Sequence, residues 1–125
     1  MIGRKTTAVF FVIALGLSFV ACSDFEKNAY KTMAATQAEF QILQSRTAEA
    51  TAHGIVSEDQ WNRFSVEAHV FINIHSAAVD AFEVWHMTKN KNDKARLEAL
   101  LGQLQPLVDK LKDLAASFEG SKSLL

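Results

Sequence analysis

Between residues 61 and 85, apolar and aromatic residues recur at alternating intervals of three and four. Trp61, Phe64, Ala68, Phe71, His75, Ala78, Phe82 and Trp85 fill positions a and d of a heptad repeat without a break. A strand cannot use this period, because its side chains alternate faces at every residue. A helix can, by turning one stripe toward other helices. Leu97, Leu100, Leu104, Leu107, Leu111, Leu114 and Phe118 repeat the pattern downstream. A weaker version runs through Ala29, Met33, Thr36, Phe40, Leu43, Thr47 and Ala50. Three such seams predict an all-α chain.

The connections between the seams are short, which makes neighbouring helices antiparallel. The expected fold is an up-down-up three-helix bundle over 28–119, with coiled-coil-like seams and helices at about 28–53, 58–88 and 93–119. "GIVSEDQW" at 54–61 makes the first break. Gly54 suits the left-handed position that ends a helix. Ser57 can cap the next one, with Glu58 and Asp59 in its first turn. "TKNKND" at 88–93 makes the second break. Here Lys89 and Lys91 are placed for a helix C-terminus, and Asp93 for the cap of the third helix. Pro106 removes one backbone hydrogen bond and crowds the carbonyl of Gly102. The heptad phase runs through it, so one kinked helix is expected rather than two. Residues 120–125 are read as a flexible tail.

The N-terminus follows other rules. "MIGRKTT" carries two positive charges and no acid, and "AVFFVIALGLSFV" adds thirteen uncharged residues before Ala21 and Cys22. A charged start, an apolar run and a small residue before a cut make a secretory signal over 1–21. The run of about 15 residues is shorter than the ~20 that span a bilayer as a helix. An uncleaved membrane anchor is the alternative. Cys22 is the sole cysteine, so it cannot form a disulfide within the chain.

"FVAC" at 19–22 resembles the lipobox of bacterial lipoproteins, with Val20, Ala21 and Cys22 on the pattern and Phe19 where Leu is usual. The resemblance implies a diacylglycerol thioether on Cys22, cleavage before it and acylation of its new amine. It also implies a tether over 22–27. Ser23 in place of Asp after the cysteine implies the outer membrane of a Gram-negative cell, with the chain facing the periplasm. Two or three acyl chains would hold it stably, each buried methylene contributing roughly 0.8 kcal/mol. "AYKTMAATQAEF" at 29–40 and "GIVSEDQWNRF" at 54–64 are also similar to stretches of short helical lipoproteins of bacterial and phage-borne origin. That group has no known activity, so no function carries over.

Net charge argues against one class of partner. The full chain has 13 basic and 14 acidic residues, for −1; without Arg4 and Lys5 the remainder carries 11 against 14, for −3. Nucleic-acid binding calls for a basic face, and none is expected.

Candidate chemistry is sparse. His75 sits in the second seam and is expected to be a core histidine hydrogen-bonded across the bundle. His86 lies eleven residues on, near the same side of the helix but about 16 Å away, too far to share a metal. Glu83 and His86 form a single Glu-x-x-His pair, where di-iron bundles need two and further glutamates. Ser57, with Glu58, Asp59 and His53 nearby, resembles a triad only in sequence, and capping accounts for the serine. No cofactor, metal or catalysis is expected.

Two surface features go beyond what a core needs. Val70, Ala77 and Val84, beside Ile74 and Ala81, widen the apolar arc of the second helix. They form a candidate docking stripe for an envelope protein or a second copy. Lys89, Lys91, Lys94 and Arg96 form a candidate contact with anionic headgroups, worth up to about 1 kcal/mol each. The expected role is structural or interaction-based. The alternative is a periplasmic bundle that binds a metal or small apolar ligand near His75, Trp85 and His86.

Overall fold

A computed structural model describes residues 17–122, with side chains over 24–118. Three helices follow one another: α1 (Leu17–Ala52), α2 (Glu58–Thr88) and α3 (Lys91–Lys122). α1 starts earlier in the sequence than residue 28, and α3 runs past 119. Residues 1–16, most of the apolar leader, lie outside the described residues, as do the side chains of 17–23. The thiol of Cys22 is among these. The chain divides into two compact units, one ending at Lys31 and one beginning at Thr32. In the first, α1 carries a buried Ala29 and an exposed Tyr30.

The second unit is the three-helix bundle. Its core is one cluster drawn from all three helices. Met33 and Phe40 come from α1, Phe64, Ala68, Phe71 and Ala78 from α2, and Leu104, Val108, Leu111, Ala115 and Phe118 from α3. Phe40 stacks on Phe71 with centroids 4.6 Å apart. His75 Nε2 donates to the carbonyl of Met33 at 3.0 Å. Position 40 therefore meets 71 while 33 meets 75, so α1 and α2 run antiparallel.

The α2 seam is buried as its spacing predicts. Phe64, Ala68, Phe71, Ala78 and Trp85 are buried, with Trp61, His75 and Phe82 half-buried beside them. Half of the α3 seam is buried as its spacing predicts, at Leu97, Leu104, Leu111 and Phe118. Leu100, Leu107 and Leu114 are only half-buried, and Val108 and Ala115, outside the predicted line, are buried. A helix touching two neighbours buries an arc wider than positions a and d alone. Leu97, Leu104 and Leu111 lie at the centre of that arc, with Val108 and Ala115 toward one side of it and Leu100, Leu107 and Leu114 on the other. In α1 two polar residues, Thr36 and Thr47, are buried. The Thr36 hydroxyl donates to the carbonyl of Thr32 at 2.7 Å, so its burial leaves no orphan donor.

Both turns are built from capping bonds. After α1, Gly54 adopts φ +77°. The Gly54 N–H donates to the Thr51 carbonyl at 3.0 Å and the Ile55 N–H to the Ala50 carbonyl at 2.9 Å. These two bonds make a Schellman motif with glycine at its left-handed position. Ser57 then caps α2. The Gln60 N–H donates to Ser57 Oγ at 3.1 Å, and the Ser57 N–H donates to Gln60 Oε1 at 2.9 Å.

The second turn corrects the predicted cap. Asn90, not Asp93, caps α3, and its Oδ1 accepts from the Asn92 N–H at 2.7 Å. Asp93 lies inside the first turn, where its carboxylate accepts from the Thr88 hydroxyl at 2.7 Å. Lys91 is the first residue of α3 and belongs to no helix C-terminus. Lys89 ends α2 in the left-handed region at φ 53°. α3 continues through Pro106 as a single helix.

Candidate functional site

α2 positions most of the candidate residues. The predicted docking stripe is divided by the fold. Ala81 is buried at 2% exposure and belongs to the interior. Ile74 packs against the core cluster. Val70 and Val84 remain exposed, at 40% and 43%, and Ala77 is half-buried between them. The reason is angular. Residues 74 and 81 lie one position toward the α3-facing side of the stripe, and in a three-helix bundle that side is covered.

Val66 and Met87 continue the exposed line, at 63% and 83% exposure. The full outer line reads Val66, Val70, Asn73, Ala77, Asp80, Val84 and Met87, again at alternating intervals of four and three. The aromatic seam on the opposite side of α2 hides this second repeat. Its sequence signal is the spacing itself, and the two polar members, Asn73 and Asp80, break its apolar appearance.

A shallow groove of about 570 Å³ runs between α2 and α3, lined by Arg63, Val66, Glu67, Lys110, Asp113, Leu114 and Ser117. Lys110 spans it to Glu67 at 3.1 Å. The Arg63 guanidinium lies 5.4 Å from the centroid of Phe118. Two acids and two bases line it, so it presents no net charge to a ligand.

The α2–α3 turn carries the candidate headgroup residues. Lys89 Nζ lies over the Trp85 ring, 4.1 Å from its centroid, which turns this cation back onto the bundle. Lys91 and Arg96 are exposed on the first turns of α3, and Lys94 is half-buried.

The histidines do not converge. His75 is held by Met33. His86 is exposed, and its ring stacks on Phe82 at 6.1 Å and 13°. Glu83 is exposed. Among the described residues no group of three or more His, Cys, Asp or Glu side chains could hold a metal ion. Ser57 Oγ is engaged in the α2 cap. Among the described residues no helix is long and apolar enough to cross a membrane. No family model, no curated protein and no solved structure matches the chain.

Proposed function

We propose that this chain is a small exported lipoprotein, held through Cys22 in the outer membrane and facing the periplasm, whose bundle acts as an interaction module. One observation carries the reading. The only cysteine of the chain closes an apolar run behind two positive charges, within the stretch "FVAC". Two features of the bundle support the interaction role. Its candidate chemistry is dispersed or engaged in structure, as with Ser57 in the cap and His75 on Met33. Its exposed large apolar residues include a regular line on α2 rather than single positions.

The intact mass of the detergent-extracted protein tests the anchor. A species that begins at Cys22 with added acyl mass is expected. A species that retains residues 1–21 would make the leader a membrane anchor and Cys22 an ordinary thiol.

A further inference from the structure

The outer line of α2 spans 66 to 87, three heptads, or about 31 Å at the rise of an α-helix. Four of its members are large apolar side chains exposed to solvent: Val66, Val70, Val84 and Met87. Apart from Val66, which also lines the α2–α3 groove, it faces away from the residues through which α2 meets its neighbours. His75 and Phe71 turn to α1, and Glu67 and Arg63 turn to α3. A helix with two separate heptad lines is built to pack on both sides. The bundle occupies one.

We propose that the second line pairs with the same line of a second copy, antiparallel and centred on Ala77. The inference rests on the interaction-module reading above but not on the lipid anchor. The order of residues along the line selects the occupant. When two copies are laid antiparallel about Ala77, Val70 meets Val84, and Val66 comes within one residue of Met87. Asn73 comes within one residue of Asp80, close enough for an amide to donate to a carboxylate. The line is thus its own complement under a two-fold axis, which an isologous interface requires and a foreign partner does not. Parallel pairing is disfavoured by the same residues, because it sets Asp80 on Asp80 and Glu83 on Glu83. Small Ala77 at the centre lets the two backbones approach.

Two consequences follow. Three heptads with two polar layers make a short seam, so pairing depends on protein concentration. The Thr32 ends of the two α1 helices also point in opposite directions.

The test is a mixture of two full-length variants, Val70→Cys and Val84→Cys, each carrying Cys22→Ser so that the introduced thiol is the only one. They are purified in detergent, mixed in equal amounts and mildly oxidised. Mixed disulfides between positions 70 and 84 are expected well beyond the statistical excess of random pairing. Val70→Glu with Val84→Glu is expected to abolish the dimer in light scattering and leave helical circular dichroism unchanged, since both sites are exposed. Predominant 70–70 and 84–84 disulfides would replace the proposal with parallel pairing. A monomer at the highest concentration, with no disulfide, would overturn self-association altogether. Neither result bears on the intact-mass test of the anchor.

Discussion

The carbonyl of Met33 shows how the half-buried His75 is held. As an interior residue of α1 it already accepts a helix hydrogen bond, and the Thr36 hydroxyl approaches it at 3.3 Å. His75 adds a further bond from α2 at 3.0 Å. Removing the imidazole therefore leaves no orphan acceptor, and only the net worth of one hydrogen bond is lost, about 1 kcal/mol. His75→Leu is expected to lower the unfolding free energy from urea titration by no more than that amount. A loss of several kcal/mol would show that the ring supports more than this bond. Gly54 is the opposite case, since its side of the turn is empty and its backbone is demanding. Nothing lies within 4 Å of a Cβ built there, yet φ is +77°. Gly54→Ala costs backbone strain alone, about 1–2 kcal/mol. Ser57→Ala, three residues on, removes one half of the capping box and costs about 1 kcal/mol. A thermal melt in which Gly54→Ala equals the parent chain would remove the left-handed turn from this account.

Among the elements, α3 is the one that should not be continuous on propensity alone. Pro106 crowds the carbonyl four residues earlier, and that residue is Gly102, which a Cβ could occupy without contact. On helix propensity alone, Gly102→Ala would stabilise by roughly 0.5–1 kcal/mol, the ordinary cost of a helical glycine. The two positions meet through one peptide group, so their effects should couple. Glycine lets that carbonyl tilt away from the proline ring. We expect Gly102→Ala to be near neutral with Pro106 present and fully stabilising in a Pro106→Ala background. A double-mutant cycle by denaturant unfolding measures this coupling, and strict additivity would exclude it. Helix existence and the α2 seam were legible because period and turn chemistry agreed, as at Gly54 and Ser57. The phase of α3 was less so. Its leucines mark the centre of the buried arc at Leu97, Leu104 and Leu111 and one flank at Leu100, Leu107 and Leu114, while the smaller Val108 and Ala115 on the other side carry a weaker signal. The α3 cap was misplaced for a similar reason. Asp93 and Asn90 are both good caps, and only the tight return from Thr88 selects the earlier one. On the candidate site, the sequence showed that α2 has apolar residues to spare. Which of them the third helix would cover was set by packing, and Ala81 and Ile74 went inside.

At the scale of the whole bundle, two kinds of contact tie the helices together, and their magnitudes differ enough to be separated by experiment. Lys112 reaches Glu39 across α1 and α3 at 3.1 Å, and Lys110 reaches Glu67 across α2 and α3 at 3.1 Å. The lysine side chains are 47% and 62% exposed, so each pair is solvated and worth under about 1 kcal/mol. Phe71 is fully buried in the common core and stacked on Phe40. Its removal loses both transfer energy and packing, and Phe71→Ala should cost about 3–5 kcal/mol. Domains of this kind are stable by only about 5–15 kcal/mol, so that one ring is a large share of the total. Phe71→Ala should lower the thermal midpoint by more than about 10 °C, whereas Lys112→Ala should move it by a few degrees at most. Salt separates the two further. Screening shortens to about 3 Å in 1 M salt, which suppresses exposed ion pairs and leaves buried rings untouched. The parent chain should therefore melt at nearly the same temperature in low and high sodium chloride. If the midpoint fell steeply with salt, or Lys112→Ala matched Phe71→Ala, the bundle would be held by its charged surface, and the heptad seams would not be the source of its stability.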